Sequence, residues 1–294
     1  MEPQDQEEIA EMNSIIREIQ TIYDAGTPMF TKDAIRKVGS ELDVFQKGGA
    51  SNGREITLKG INGADYTIFV GPPVLKSSKN KNQHLGGSTW TIGYNSIEKL
   101  TVDRDIWSFD PQTTRYLPME ISACTREITR ELEYEENPTV SSTEDSCRAF
   151  QDAERKFMAS EYHERLEAML ATRGILSAES ERYVQDPAYT QKDRDVLSPN
   201  GFTVLDDPQA FLLLDESSVL VSIGPDIPVK QIVADICRPG MIIWNRGNEE
   251  TNSYLFTDPE SSRVVRMIEK EYFEVDFPYH KILGDLVMYI RKSA

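Results

Sequence analysis

Acidic and amide side chains follow directly after several short apolar runs in the second half of this sequence. Six of them are candidates for chemistry: Gln185, Asp186, Asp206, Asp207, Asp226 and Asn245. If the apolar runs are neighbouring parallel strands, these side chains meet at the carboxyl edge of the sheet, where α/β folds bind ligands. Crowded carboxylates there would raise the pKa of at least one of them, which supplies a general acid or base. The alternative is structural, because the aspartates of Asp186-Pro187 and Asp207-Pro208 also suit turns and helix caps.

Other catalytic and cofactor motifs are missing from the sequence. It contains neither GxGxxG nor GxxxxGK[ST], which phosphate-binding loops require, and it lacks the GxSxG of hydrolases. Its three cysteines and three histidines are dispersed, without the spacing of a zinc site or a disulfide framework. We therefore expect neither a metal nor a cofactor.

The net charge of the chain restricts its partners. Its 294 residues carry 32 basic and 49 acidic side chains, which gives −17 at pH 7. This excess repels phosphate backbones, so DNA binding is disfavoured and only local basic clusters could meet a nucleic acid. Those clusters are Lys76, Lys79 and Lys81, and Arg263, Arg266 and Lys270.

The apolar stretches of the sequence are far shorter than a membrane span. The acidic N-terminal segment does not resemble a secretory or transit peptide. We therefore expect no membrane partner and a cytoplasmic location, with the nucleus as the alternative.

The last third of the chain predicts alternating strands and helices. Strands are expected at Tyr183-Val184, Phe202–Leu205, Val219–Ile223 and Met241–Trp244. Helices are expected between them, over Gln191–Leu197, Pro208–Leu214 and Val229–Ile236. This alternation is typical of βαβ units, so we predict a mostly parallel, Rossmann-like sheet in an α/β domain. Beyond it we expect a helix over Arg263–Tyr272 and either strand or helix over Ile282–Ile290.

The N-terminal part predicts an α+β region. Helices are expected over Ile9–Tyr23, over Thr31–Leu42 with Thr31 as the cap, and from Ser142 or Thr143 onward to Leu170. Short strands are expected at Ile56–Leu58, Tyr66–Val70, Trp90–Ile92, Leu100–Val102 and Glu120–Cys124. We therefore divide the chain into an N-terminal α+β region, 1–140, and an α/β domain, 141–294.

Six segments carry a resemblance to a known family: Pro28–Lys32, Pro118–Arg126, Gln185–Thr190, Val204–Phe211, Leu214–Ser218 and Pro225–Ile232. In this order they resemble the SENSITIVITY TO RED LIGHT REDUCED-like (SRR-like) domain family, and its fungal members in particular. Members of the family carry, ahead of the strand at Gln185, a strand ending in a Gly-Leu-Gly-Ser-like loop and a long apolar helix. Here Leu170–Ser177 leads almost directly to Tyr183. The first βα unit of the family is therefore expected to be missing near 171–183.

The resemblance implies an enzyme. Some fungal members are arginine-containing cyclodipeptide synthases, aminoacyltransferases of secondary metabolism that join arginine from arginyl-tRNA to a second aminoacyl-tRNA. Their DDxxE motif matches Asp206 and Asp207, whereas Ala210 stands in the place of its glutamate. On this basis the expected catalytic residues are Asp206 and Asp207, and the expected substrate-binding residues are Gln185, Asp186, Asp226 and Asn245.

The resemblance also implies an alternative. Plant and animal relatives are regulatory factors, so the chain could be a non-catalytic regulatory or interaction protein of light, clock or stress signalling. A methyltransferase-like cofactor binder is a third class, which fits an α/β sheet but not the absence of a Gly-rich strand end. A synthase would hold the arginine guanidinium on Asp206, Asp207 or Asp226 through a bidentate contact. The net charge of −17 argues against the tRNA partner that this reaction needs.

Overall fold

The architecture is taken from a computed structural model of the chain. It describes residues 3–48, 53–71, 83–101, 115–129, 142–161, 163–164, 167–168, 181–187, 189–247, 257–277 and 284–292. The chain forms two compact units, neither of them continuous in sequence. Unit 1 comprises Met1–Val74, Ser88–Cys124 and Phe211–Ala294, and unit 2 comprises Leu75–Gly87 and Thr125–Ala210. The predicted boundary at 140 and the segment 171–180 of the expected deletion lie outside the described residues.

Two helices open the chain, as the apolar spacing predicts. They are α1 (Pro3–Asp24) and α2 (Lys32–Gln46). The Thr31 hydroxyl caps α2 by accepting the N–H of Ala34 at 3.1 Å, which satisfies one of the free donors of its first turn. The buried face of α2 recurs at three- and four-residue steps and consists of Ile35, Val38, Gly39, Leu42 and Phe45.

Two strand pairs follow. Strands β1 (Arg54–Lys59) and β2 (Asp65–Val70) form an antiparallel hairpin, and β3 (Gln83–Tyr94) pairs with β4 (Met119–Thr129). The strand predicted at Leu100 is wrong, because Leu100 lies in the short helix α3 (Ile97–Thr101). The Ser96 hydroxyl accepts the N–H of Lys99 at 3.1 Å, and this local cap starts a helix where the apolar pattern alone favoured a strand.

Unit 2 contains one amphipathic helix and a small parallel sheet. Helix α4 (Thr143–Met158) begins at a capping box between Ser142 and Asp145, where the sequence predicts a start, but it ends at Met158, short of the predicted Leu170. Strand β5 (Tyr183–Gln185), helix α5 (Gln191–Leu197) and strand β6 (Thr203–Leu205) form a βαβ unit. Its two strands run parallel, with Gln185 opposite Leu205.

The remaining elements are α6 (Gln209–Leu213), β7 (Val219–Ser222), α7 (Val229–Ile236), β8 (Met241–Asn245), α8 (Ser262–Glu271), β9 (Tyr272–Asp276) and β10 (Leu286–Arg291). In unit 1 the four strands form one sheet in the order β7-β8-β10-β9. Strands β7 and β8 are parallel, whereas β10 runs antiparallel to both of its neighbours. The region that the sequence left open as strand or helix is therefore a strand over 286–291.

The α/β class is confirmed, whereas the mostly parallel, Rossmann-like sheet stays a prediction. Among the described strands, the parallel pairs β5–β6 and β7–β8 belong to separate small sheets. The antiparallel arrangement of β9 and β10 follows from their nine-residue connection, 277–285, because a parallel crossover needs a dozen residues or more.

The hydrophobic core described by the structure lies in unit 1. All of its fully buried apolar residues come from that unit, with Phe30, Phe45, Ile232, Ile242 and Trp244 among the largest. Rings from distant segments meet there, for example Tyr94 and Phe211 with centroids 5.8 Å apart. None of the helices in the described part of the chain is long and apolar enough to cross a membrane.

Candidate functional site

The parallel pair β5–β6 brings three of the predicted site residues to one sheet edge in unit 2. Gln185 is the last residue of β5, and Asp206 and Asp207 follow the last residue of β6. The side-chain amide of Gln185 donates to Oδ1 of Asp207 at 3.0 Å. The expectation that these side chains converge is therefore met within this pair of strands.

Gln185 also has a structural role. Its Oε1 accepts the backbone N–H of Ala210 at 2.7 Å, and the carbonyl of Asp206 accepts the N–H of Gln209 at 2.8 Å. These bonds satisfy donors in the first turn of α6, which a helix leaves free at its start. Gln185 thus fixes the β6–α6 loop, residues 206–210, from the neighbouring strand. Ala210 contributes its backbone to this arrangement at the position where the resemblance predicts a glutamate.

Asp206 contacts a guanidinium in the structure. Its Oδ1 lies 2.5 Å from Nη2 of Arg194 on α5, although 77% of the Asp206 side chain is exposed. A capping box between Thr190 and Asp193 starts α5 and thereby sets the position of Arg194 in its first turns. Asp206, one of the three carboxylates that could hold an arginine guanidinium, is therefore paired with an arginine of its own unit.

Asp186 lies beside a tyrosine at the end of β5. The Asp186 carbonyl accepts the N–H of Tyr189 at 3.0 Å, and Asp186 is exposed. Burial, followed by the negative charges of Asp186 and Asp193, raises the pKa of the Tyr189 phenol above its ordinary value. This phenol stays protonated at neutral pH and is a hydrogen-bond donor near the carboxylates of Asp186 and Asp193.

The other two predicted residues, Asp226 and Asn245, lie in unit 1. Asn245 ends β8, and its Oδ1 accepts the N–H of Gly224 at 2.7 Å. Gly224 has φ +56°, a left-handed conformation that favours glycine, so Asn245 stabilises the sharp turn that leaves β7. Asp226 is exposed two residues further along the same loop.

A polar cluster that the sequence analysis did not identify lies at the carboxyl end of β7 and β8. We name it the Lys230 cluster, and its members are Glu98, Lys230, Gln231, Asp258 and Glu260. The ammonium of Lys230 pairs with Glu260 at 3.1 Å, with only 5% and 19% of the two side chains exposed. It also lies 5.6 Å from the ring centroid of Trp244, a fully buried side chain. A cation–π contact of this kind is strengthened by the exclusion of water.

Gln231 connects the cluster to α3. Its Nε2 donates to Glu98 at 2.6 Å, and its Oε1 accepts the N–H of Ile97 at 2.9 Å. The signal for these residues was present in the sequence, because Lys230, Gln231 and Asp235 interrupt an otherwise apolar helix. Six consecutive residues of α7, from Val229 to Ala234, are buried, so the two polar side chains among them had to find partners inside the protein.

Asp258 is a titratable member of the Lys230 cluster that contacts the backbone of α7. Its Oδ1 accepts the backbone N–H of Lys230 at 2.8 Å. Burial raises the pKa of Asp258 to about 7, and the charges of Glu260 and Glu98 act in the same direction, against the hydrogen bond and charge of Lys230. A carboxyl group with such a pKa can exchange a proton near neutral pH.

No group of three or more histidine, cysteine, aspartate or glutamate side chains in the described ranges is arranged to hold a metal ion. The carboxylates at both strand ends instead face nitrogen donors, namely the guanidinium of Arg194, the amide of Gln185 and the ammonium of Lys230. The chemistry available at these places is hydrogen bonding, ion pairing and proton transfer.

Comparison with known families matches the C-terminal part of the chain. Residues 166–290 match the model of the SRR1 domain, a segment that includes every predicted site residue. No curated protein and no solved structure matches the chain. Residues 166–290 are therefore similar to the SRR1 domain.

Proposed function

We propose that this chain is an SRR1-like aminoacyltransferase of the fungal type, which forms an arginine-containing cyclodipeptide from arginyl-tRNA and a second aminoacyl-tRNA. The observation that carries the proposal is the contact of Asp206 with the guanidinium of Arg194 at 2.5 Å. The β6–α6 loop thus pairs with a guanidinium of its own unit, the same chemical group that distinguishes a substrate arginine. The family match supports an SRR1-like domain at residues 166–290, and the finer assignment to the fungal enzymes comes from the sequence resemblance.

The proposed reaction needs a binding group and a base. The α-amino group of one aminoacyl ester attacks the carbonyl carbon of the other, which releases the tRNA hydroxyl and forms the first amide bond. The remaining amino group then attacks the remaining ester and closes the ring, with release of the second tRNA. Each attacking amine must lose a proton to a nearby base. Asp206 would bind the guanidinium, and Asp207, positioned by Gln185, would accept the proton.

The two basic clusters are the candidate contacts with the tRNA partner. Arg263 is committed inside unit 1, because its guanidinium lies 3.9 Å from the ring centroid of Tyr23 and donates to the Tyr23 carbonyl. Arg266 and Lys270 are exposed on α8 and are available for phosphate contacts. The cluster Lys76, Lys79 and Lys81 lies outside the described residues.

A second function is favoured by a different observation. Val219, Val221 and Ile223 are 54%, 57% and 41% exposed on β7 and just after it. In the described part of the chain β7 pairs only with β8, so it is an edge strand with an exposed apolar row. Such a row suits association with another protein. It supports the alternative of a regulatory or interaction protein without catalysis.

The two functions are distinguished by the product. The full chain is expressed in a host that makes no arginine diketopiperazine, and extracts are analysed by mass spectrometry. We expect an arginine-containing diketopiperazine. Its absence from a host that contains folded, soluble chain would reject the enzyme and leave the interaction protein.

Variants locate the site. Asp206→Ala and Asp207→Asn should each lower product yield by at least about tenfold, since a hydrogen bond to a charged group is worth ~1.5–3 kcal/mol. Their Tm should stay within a few degrees of the parent. Asp152→Ala is the matched control, because Asp152 forms a similar exposed pair with Arg155 at 2.7 Å on α4. Equal yields from all four proteins would reject the assigned site.

A further inference from the structure

Helix α7 begins without a cap from its own sequence. Its N-cap position is Pro228, which has no side-chain acceptor for the free N–H groups of the first turn. Asp258, far along the chain, takes this role by accepting the N–H of Lys230 at 2.8 Å. The start of α7 therefore depends on a carboxyl group supplied by another segment.

The segment 257–261 contacts the β7–α7 loop and the first turn of α7 at four points. The Thr257 hydroxyl donates to the carbonyl of Pro225 at 2.5 Å, and Asp258 accepts the N–H of Lys230. Glu260 pairs with the Lys230 ammonium at 3.1 Å, and the Pro259 carbonyl lies 3.4 Å from Nε2 of Gln231. One five-residue segment thus holds the loop that leaves the carboxyl end of β7.

The charges around this contact do not balance. The groups that face Asp258 are Lys230 on α7, Glu260 on its own segment and Glu98 on α3. When Asp258 is ionised, its negative charge is added to those of Glu260 and Glu98 in a partly buried place, and the Lys230 ammonium acts against this repulsion. Removal of one negative charge by protonation relieves both the repulsion and the desolvation of that carboxylate.

We propose that the 257–261 segment is a proton-sensitive clamp on the β7–α7 loop, tightest when Asp258 is protonated and loosened when Asp258 ionises. The loop carries Asp226 and begins at the turn of Gly224, at the sheet edge where α/β folds bind ligands. The clamp links the acidity of the surroundings to the order of this loop. It is independent of the cyclodipeptide activity proposed above.

The sign of the effect follows from proton binding. In the closed clamp the pKa of Asp258 is raised from the ordinary 3.8 to about 7, whereas in the open clamp the carboxyl is solvated. Between the pH values that equal these two pKa values, opening therefore releases a proton from Asp258. The equilibrium constant for opening rises by up to about tenfold per pH unit in this range. Above about pH 7 Asp258 is ionised in both the closed and the open clamp, so the opening constant no longer changes with pH.

Amide hydrogen exchange of Lys230 measures the clamp in the full chain. After correction for the intrinsic exchange rate, the opening constant of this N–H should rise by up to about a hundredfold from about pH 5 to about pH 7, then remain level. Asp258→Asn retains an acceptor oxygen but does not titrate, so its opening constant should change little over the same range. Asp276→Asn is the control, because its carboxylate is 96% exposed, and it should retain the parent profile.

Two results would overturn the clamp: a level parent profile from about pH 5 to about pH 7, or the same rise in Asp258→Asn. If Asp258→Asn does not fold, the carboxyl ¹³C resonance of Asp258 is titrated by NMR in the unmodified chain. A midpoint above about pH 6 supports the clamp, and a lower midpoint rejects it.

Discussion

The β6–α6 loop and the Lys230 cluster use the same kinds of side chain at strand ends, in opposite environments. Asp206 is 77% exposed and pairs with Arg194 at the surface of unit 2. In unit 1, Lys230 is 5% exposed and Glu260 19%, over the buried ring of Trp244. Exposed ion pairs are screened by water and contribute little to stability, whereas a buried charge that loses its partner is costly. An exposed carboxylate can therefore exchange partners with a ligand, while the buried cluster fixes a helix in place.

The largest expected effect is on the buried side of this comparison. Lys230→Ala leaves Glu260 and Asp258 without their cation and removes the stem that packs on Trp244. The free energy of unfolding should fall by about 3–5 kcal/mol. Urea denaturation followed by tryptophan fluorescence measures the change. Lys230→Met is the control for packing, and a loss below about 1 kcal/mol in Lys230→Ala would show that the cluster is not a buried ion pair.

An intermediate effect is expected at the amide that positions the β6–α6 loop. Gln185→Ala removes the acceptor of the Ala210 N–H and the donor to Asp207. The free energy that protects the Ala210 amide from exchange should fall by about 1–3 kcal/mol, since a partly buried donor is left without its partner. Hydrogen exchange followed by NMR measures it, with Gln191→Ala on the exposed face of α5 as the control. Unchanged protection of Ala210 would contradict the role of Gln185.

The smallest effect is expected at the surface pair. Arg194→Ala should change the free energy of unfolding by less than about 1 kcal/mol, because exposed ion pairs are weak. If Asp206 is the guanidinium site, this variant should also bind arginine more tightly than the parent, since the internal competitor is gone. Arginine titration monitored through backbone resonances of the β6–α6 loop tests this. Weaker binding than in the parent would show that Arg194 forms part of the site instead.

Local patterns predicted the elements well. Helices α5 and α7 begin and end at the predicted residues, and Thr31 and Ser142 cap α2 and α4 as expected. These features depend on residues at most four positions apart, so their physical causes are all present in a short window. Leu100 shows the limit of this reasoning, because a three-residue run such as Leu100–Val102 is compatible with a strand or a helix, and the Ser96 cap favours the helix.

The candidate site was predicted only where neighbouring strands happen to be close in sequence. Gln185 and Asp207 are 22 residues apart and belong to one βαβ unit, so the rule for parallel strands was enough to place them together. Asp258 and Glu98 reach α7 from segments separated by 28 and 133 residues. No periodicity in the sequence connects such positions.

The sequence by itself determined the α/β class, the bounds of most elements, the resemblance to the SRR-like family and the carboxylates after β6. Each of these depends on residue type and short spacing. Only the tertiary structure decided the division into two discontinuous units, the antiparallel strands beside β8 and the burial of Lys230 with Asp258 and Glu260. The physical reason is that burial, and with it the energy and pKa of a charge, depends on what distant segments place around it.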